Sequence, residues 1–243
     1  MKQQMKQRMN GYLRAGLLLG GVLTALIVLG FFWTPYDPNA MGDAGEKFLA
    51  PSFQHLLGTD DFGRDIFSRV LKGAGTTFCI ALATVLSFVT LYKMPQGGTI
   101  TLASMLPIFL FSYAYGVGPG MLVGAAYGFV QFLQGGLYFV HPIELLLDYP
   151  LAFAMLGLAG LANKFSDKWG MIPGIILGTF GRFVCAFLSG MIFFGMYAPE
   201  GQNLVVYSIV YNGLYLVPEA IICIVLALIP QIRQLAKRLA LQD

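Results

Sequence analysis

Apolar stretches, close to the length of about 20 residues that a membrane-spanning helix needs, alternate with short polar or glycine-rich breaks. After residue 73, six such stretches follow one another. The predicted spans are residues 74–92, 100–115, 119–134, 143–163, 172–196 and 204–229. A further apolar run predicts an additional amino-terminal hydrophobic helix at residues 15–33. The pattern therefore predicts an all-α integral membrane protein with a six-helix bundle.

The segment that separates the first apolar run from the other six is polar. Residues 34–72 hold ten charged residues and three prolines, and they contain no long apolar run. We expect a polar loop here that ends in a short amphipathic helix near residues 65–71.

The composition supports a membrane location. Hydrophobic residues make up 57% of the 243 residues and charged residues only 11%, against about 25% in an average soluble domain. A soluble fold is thereby excluded, and helices are expected because backbone in lipid must satisfy its own hydrogen bonds. The pI of 8.7 reflects Lys and Arg beside the spans, so the expected surroundings are the lipid bilayer and not nucleic acid.

The sequence shows no reaction chemistry. Its three cysteines, Cys79, Cys185 and Cys223, lie in apolar stretches and lack the spacing of a disulfide framework or metal site. The chain contains neither a nucleotide-binding motif of the form G-x-x-x-x-G-K-[ST] nor a nucleophile–base pair. We therefore expect no enzyme activity and no cofactor.

The distribution of basic residues gives the six later spans a consistent orientation. Arg233, Lys237 and Arg238 follow the last span, and the positive-inside rule places them in the cytoplasm. Counting back places the start of the first of these spans in the cytoplasm as well. The basic head at residues 1–14 also favours the cytoplasm. Seven spans, however, would place the two ends of the chain on opposite sides of the membrane. Either residues 15–33 do not span, or a later segment does not, or the chain joins two evolutionary units.

Three strings in the amino-terminal part carry a resemblance to a known family. They are Tyr36-Asp-Pro-Asn39, Leu49-Ala-Pro-Ser52 and His55-Leu-Leu-Gly-Thr-Asp-Asp-Phe-Gly-Arg-Asp-Ile-Phe-Ser-Arg69. Residues 1–76 thereby resemble the amino-terminal end of oligopeptide/dipeptide ABC-transporter permeases. The Glu-Ala-Ala loop with which such permeases dock on their ATPase is not found in the sequence.

Five strings in the remainder carry a second resemblance. They are Pro95-Gln-Gly-Gly-Thr-Ile-Thr-Leu-Ala-Ser-Met-Leu-Pro107, Tyr138-Phe-Val-His-Pro142, Leu145-Leu-Leu-Asp-Tyr-Pro-Leu-Ala152, Tyr197-Ala-Pro-Glu-Gly201 and Tyr207-Ser-Ile-Val-Tyr-Asn-Gly213. Residues 78–240 thereby resemble the ThiT family, the thiamine-binding S components of energy-coupling factor (ECF) transporters. The boundary between the two resembling parts is expected at residues 76–77.

The second resemblance implies a fold, a ligand and partners. The six-helix S-component fold would hold a thiamine pocket open to the outside. Partners would be an ECF coupling transmembrane subunit and two ABC ATPase subunits, in a bacterial plasma membrane. The permease resemblance leaves an alternative function, a fragment or fusion of a peptide permease with a structural role. A natural fusion, a chimera and a gene-model error all remain open as origins of the join.

Asp148 is the sharpest candidate for ligand binding. An ionisable group inside a predicted span is costly and marks function by default. Thiamine is a cation, so a carboxylate would supply its counter-charge, and aromatic rings would supply cation–π faces. By resemblance, Asp148 and Tyr149 match an acid–Tyr pair that contacts thiamine, and Tyr138 matches a stacking residue. The alternative is that Asp148 caps a helix, and Glu144 is expected at the solvated rim.

Other candidates lie in the last two predicted spans. Tyr207 and Asn212 match binding positions of the family, where they could stack on and hydrogen-bond a pyrimidine; the alternative is interhelical hydrogen bonding. Phe194 matches a position at which some members carry Trp. Ala186 departs from the family pattern, in which this position is often His, and its methyl group cannot hydrogen-bond a ligand.

Two further features have structural alternatives. Glu219 could pair with Arg182, so that two charges inside the membrane neutralise one another. Gly75, Cys79 and Ala83 recur every four residues, and such a stripe permits close helix contact. By resemblance the stripe would face the coupling subunit, whereas packing within the chain is the alternative.

Overall fold

The computed structural model describes residues 33–95, 98–135, 141–165 and 170–240, with residues 21, 25, 29 and 30. Most of the amino-terminal apolar run therefore lies outside the described residues, and so does Tyr138. The chain divides into two compact units, Met1–Phe78 and Cys79–Asp243, and each is described by itself.

The described part of the first unit is a loop that folds back on the start of a helix. One short 3-10 turn, Ala44–Glu46, interrupts the loop. His55 Nδ1 and Asp65 Oδ1 lie 2.9 Å apart, and Asp65 Oδ2 accepts a 2.7 Å hydrogen bond from the backbone N–H of Ser68. The Tyr36 ring stacks on His55 with 4.8 Å between centroids. Asp65 thus caps the helix that follows and fixes the loop to it.

Helix α1 comprises Ile66–Phe88. The sequence interpretation placed a short amphipathic helix near residues 65–71 and a separate span from residue 74, and this separation is wrong. Gly73 and Gly75 lie inside one continuous helix, because glycine weakens a helix without ending it in the way that proline does.

A β-hairpin follows α1, where helix was predicted. Strands β1 (Thr90–Lys93) and β2 (Thr99–Thr101) pair antiparallel, with an irregularity between Thr90 and Tyr92. The predicted spans 74–92 and 100–115 are therefore wrong at residues 89–92 and 100–105. β-branched residues on both sides of a Pro- and Gly-containing turn favour extended pairing over a helix.

The remaining elements are helical. They are α2 (Leu106–Tyr115), α3 (Val117–Gln134), α4 (Pro142–Asp148), α5 (Pro150–Ala154), a 3-10 segment (Met155–Leu161), α6 (Ala162–Phe165), α7 (Ile172–Phe193), α8 (Leu204–Ala227) and α9 (Pro230–Ala240). The predicted span 143–163 is thus composite. Pro150 lacks an N–H, which separates α4 from α5 after Asp148.

Glycines allow α3 to pack closely against the chain that follows α4. A Cβ on Gly124 would clash with the carbonyl of Phe153, and a Cβ on Gly128 would clash with that of Tyr149. In return, Gly157 lies against the backbone of Met121. Such backbone approach needs small residues. This contact fixes the end of α4 within the bundle.

The apolar helices confirm the predicted class. Within the described residues, four segments are long and apolar enough to cross a membrane, and Leu106–Tyr115 is a shorter apolar helix. The four are Ile66–Phe88, Pro142–Leu161, Ile172–Phe193 and Leu204–Ala227. The chain is an all-α integral membrane protein with one small hairpin. Its core includes the fully buried side chains of Met105, Phe109, Tyr127, Leu156 and Ile175.

Candidate functional site

Asp148 is the last residue of α4, and its carboxylate faces α7. The hydroxyl of Ser189 donates a 2.8 Å hydrogen bond to Asp148 Oδ2. Ser189 is fully buried. The carboxylate is therefore held across the bundle by a residue that the sequence interpretation did not single out, because serines on apolar helices are common and give no signal of their own.

Asn212 lies on α8 and is held from several sides. Its Nδ2 donates to the Ser208 carbonyl at 2.9 Å and to the Ala186 carbonyl at 3.3 Å. Its Oδ1 accepts a 2.9 Å hydrogen bond from the Tyr215 hydroxyl. The alternative interpretation of Asn212 was interhelical hydrogen bonding, and its amide nitrogen makes such a bond. Oδ1 has two lone pairs, so its capacity as an acceptor exceeds this one bond.

The contacts of Asp148 and Asn212 meet on one turn of α7. Ser189 binds the carboxylate, while the carbonyl of Ala186, three residues earlier, accepts from Asn212. Gly190 completes the turn, and a Cβ there would clash with the Ser208 hydroxyl. Asp148 of α4 and Asn212 of α8 therefore contact opposite ends of the same turn of α7.

Tyrosines form a ladder along α8. The rings of Tyr207 and Tyr211 stack with 6.0 Å between centroids, and Tyr211 meets Tyr215 edge to face at 6.1 Å. The hydroxyl of Tyr211 accepts a 3.4 Å hydrogen bond from the backbone N–H of Gly98. Only Tyr207 was singled out from the sequence. The spacing of four residues was the signal for the other two, because such residues share a helix face.

Tyr149 and Phe194 are fixed by other contacts. Tyr149 meets Phe132 of α3 edge to face, with 5.4 Å between centroids. Phe194 follows α7 directly and stacks on Tyr197 at 6.1 Å. Neither contact involves the turn of α7 that joins Asp148 to Asn212. Tyr138 lies outside the described residues.

The predicted pairing of Arg182 with Glu219 is confirmed. Arg182 Nη1 and Glu219 Oε2 are 3.7 Å apart, and the Glu219 side chain is 1% exposed. Thr101 and Ser104 donate to Glu219 Oε1 at 2.5 and 3.0 Å. The Arg182 guanidinium also lies 4.1 Å from the centre of the Phe153 ring. The pair ties α7 and α8 to the end of β2 and to the turn that follows it.

The small-residue stripe is buried where the second unit contains it. The side chains of Cys79 and Ala83 are 4% and 0% exposed. The hydroxyl of Tyr127 donates a 3.4 Å hydrogen bond to the Ala83 carbonyl. Cys79 and Ala83 therefore pack within the chain, as the alternative interpretation has it, while contact of the stripe of Gly75, Cys79 and Ala83 with a partner subunit stays a prediction.

Metal-binding chemistry is not assembled in the part of the chain that the structure describes. No group of three or more His, Cys, Asp or Glu residues there could hold a metal ion. The candidate site consists instead of a carboxylate, an amide, hydroxyls and aromatic rings.

Comparison with known proteins agrees with this architecture. Residues 74–239 match a family model described as thiamine transporter protein (Thia_YuaJ). The thiamine transporter ThiT of Bacillus subtilis is 38% identical over 163 residues, and the match covers 61% of this chain and 84% of that protein. A solved structure of ThiT from Listeria monocytogenes aligns with a TM-score of 0.55 at 25% identity, covering 67% of this chain and 91% of that chain.

The amino-terminal segment has relatives of another kind. The nickel transport system permease protein NikC of Escherichia coli is 37% identical over 78 residues, which are 32% of this chain and 28% of that protein. The resemblance of this segment to ABC permeases is thereby confirmed, over about a quarter of the permease length.

The helices and these matches define a membrane transport protein and not an enzyme. More particularly, the chain belongs to the thiamine transporter family, since the family model matches residues 74–239. It is a multi-pass protein of the cell membrane.

Proposed function

We propose that this chain is the membrane-embedded thiamine-binding subunit of an ECF-type uptake transporter. It captures thiamine from outside and relies on partner subunits for ATP-driven transport. The proposal is carried by the convergence of Asp148 and Asn212 on one turn of α7, in a chain whose residues 74–239 match the thiamine transporter model.

Each group at this convergence suits one part of thiamine. The thiazolium ring carries a permanent positive charge, and burying it without a counter-ion costs several kcal/mol, roughly the desolvation penalty of a buried ion. Asp148 supplies that counter-charge. The acceptor oxygen of Asn212 suits an amino-substituted pyrimidine edge, and Tyr207 presents a ring for stacking.

The assignment extends to the other candidate residues. Tyr149 and Phe194 are proposed to line the ligand from the ends of α4 and α7, and Tyr138 to stack on it. Residues 77–243 would form the binding domain, and residues 1–76 a permease-like segment attached to it.

Partner subunits enter the proposal for a chemical reason. The sequence holds no phosphate-binding loop, so the energy for uptake must come from other proteins. The family resemblance points to a coupling transmembrane subunit and two ABC ATPases.

The permease match favours a second candidate for the amino-terminal segment. As a fragment or fusion of a peptide permease, the chain would have a structural role and would bind no thiamine. The match to permeases covers 32% of the chain, whereas the match to ThiT covers 61%, so we favour thiamine capture.

Equilibrium titration separates the two candidates. The full chain, purified in detergent, is titrated with thiamine by calorimetry. The proposal expects saturable binding of one thiamine per chain, with no saturable binding of a dipeptide under the same conditions. A folded chain that shows no saturable thiamine binding would refute the capture role and support the structural one.

A further inference from the structure

The hydroxyl of Ser189 does not make the contact that is usual for a buried serine inside a helix. A serine inside a helix commonly donates to the carbonyl four residues earlier, as buried Ser112 does to Ile108 at 2.6 Å. Ser189 is equally buried but donates across the bundle to Asp148 Oδ2 at 2.8 Å. Its donor is therefore committed to the carboxylate of another helix.

The carboxylate of Asp148 lies at a break between two helices. Asp148 ends α4, and the chain breaks its helical conformation at Tyr149, with φ −116° and ψ −87°. Pro150 then begins a new helix without an N–H to offer. The Asp148 side chain thus extends from a break between two helices, and the hydrogen bond from Ser189 holds its carboxylate from a third helix.

We propose that Ser189 is a positioning residue for cation capture. It holds Oδ2 of Asp148 so that the carboxylate presents Oδ1 to the thiazolium charge. The inference rests on the proposed function and deepens it, because it names the residue that orients the counter-charge. A carboxylate oriented before binding loses less conformational freedom when the ligand arrives.

Neither Ala186 nor Gly190, on the same turn of α7, can donate a side-chain hydrogen bond to Asp148 in place of Ser189. Ala186 offers only a methyl group there and uses its carbonyl for Asn212. Gly190 has no side chain, and space for one is filled by Ser208. On this turn, Ser189 supplies the hydroxyl that donates a hydrogen bond to Asp148.

The first test compares a charged with an uncharged ligand. Ser189→Ala is expected to weaken thiamine binding about tenfold or more, the effect of losing a hydrogen bond to a charged group. An isosteric analogue with an uncharged ring in place of the thiazolium should change by less than about twofold, since it needs no oriented counter-charge. Ser112→Ala, a matched removal of a buried hydroxyl, should leave both affinities unchanged.

The second test is a double-mutant cycle. If Ser189 acts through the charge of Asp148, Ser189→Ala should alter thiamine affinity by less than about twofold when Asp148→Asn is already present. An equal loss in both backgrounds would overturn the proposal, and so would an equal loss for the charged and the uncharged ligand. Should Ser189→Ala not fold, Ser189→Cys, of similar size and with a weaker donor, replaces it under the same criteria.

Failure of this inference and failure of the proposed function give different results. If the parent chain does not bind thiamine, the proposed function is refuted. If the parent binds and loses affinity in Asp148→Asn, while Ser189→Ala binds like the parent, the positioning role alone is refuted.

Discussion

Arg182 and Glu219 lie 3.7 Å apart inside the bundle, with the carboxylate almost completely removed from solvent. Removing one member of a buried pair leaves the other charge uncompensated, which costs more than the pair itself contributes. The hydroxyls of Thr101 and Ser104 add hydrogen bonds to the carboxylate, and Phe153 adds a ring face to the guanidinium. The pair therefore joins α7, α8, the end of β2 and the turn after it into one unit.

Glu219→Gln is expected to destabilise the fold by about 3–5 kcal/mol, because the charge of Arg182 loses its partner. The amide keeps the size of the side chain and an acceptor for Thr101. The measurement is denaturant unfolding in detergent. Glu200→Gln, at an exposed loop position, is the control and should change stability by less than about 0.5 kcal/mol.

The combined change Arg182→Met and Glu219→Gln distinguishes charge from shape. It should recover most of the loss, since no unpaired charge remains. If Glu219→Gln unfolds at the same denaturant concentration as the parent, the pair is not what holds these helices together.

Asp148→Asn is expected to reduce thiamine affinity by at least a hundredfold, from the loss of about 3–5 kcal/mol at a buried charge pair. The isostere with an uncharged ring should lose much less. Calorimetric titration measures both. Glu144→Gln is the matched control on the same helix. The expectation that Glu144 lies at a solvated rim is wrong, since its side chain is buried and accepts a 3.2 Å hydrogen bond from the His141 backbone N–H as part of a helix cap. Parent-like affinity in Asp148→Asn would leave Asp148 as a helix-end residue.

Gly124→Ala is expected to destabilise the bundle by about 1–3 kcal/mol, the usual cost of overpacking. Its added methyl group would clash with the carbonyl of Phe153, which belongs to the neighbouring helix α5. Gly118→Ala, on the same helix α3, meets nothing within 4 Å and should be neutral or slightly stabilising. Thermal unfolding of both variants checks this difference. Equal melting temperatures would contradict the close approach of α3.

Ala186→His is expected to tighten thiamine binding two- to tenfold, since one added hydrogen bond contributes about 0.5–1.5 kcal/mol. Ala186 is 8% exposed and packs with Tyr215 and Leu216, so the larger side chain should also cost about 1–3 kcal/mol of stability. Binding and unfolding are measured on the same preparation. Equal or weaker binding by a folded variant would refute the role of this position.

Asp65 makes the loop before α1 sensitive to acid. Burial raises the pKa of its carboxyl, but hydrogen bonds from Ser68 and His55 outweigh this and bring the pKa below its usual value of 3.8. A lowered pKa means that the carboxylate stabilises the loop above pH 3.8 and that this stabilisation is lost as the pH falls further.

Asp65→Asn should therefore increase hydrogen exchange at residues 59–68 at neutral pH, after correction for the intrinsic rate. The difference from the parent should shrink only as the pH falls from 3.8 through the lowered pKa of Asp65, where the folded parent also loses the charge. Asp61→Asn, whose side chain is 57% exposed, is the control. Exchange that is the same in parent and Asp65→Asn at neutral pH would show that the cap does not hold the loop.

The class of protein and the six apolar segments after residue 73 can be predicted from the chain alone. Hydropathy over about 20 residues is a local property, so it can be summed without knowing which helices meet. The Arg182–Glu219 pair could also be predicted from the sequence, because two lone charges in apolar spans are expected to neutralise one another. Asp148 stood out for the same reason.

Which groups surround those residues depends on how the helices pack. Ser189 reaches Asp148 across 41 positions of the chain, and Asn212 reaches Ala186 across 26. Such contacts depend on how each helix is rotated about its axis and on how closely its glycines let it approach a neighbour. Almost every face of these helices is apolar, so the pattern along the chain could not show which face turns inward. For that reason the sequence left the contacts of Asp148 and the surroundings of Cys79 and Ala83 open, and only the packed bundle shows Ser189 against Asp148 and both stripe residues buried.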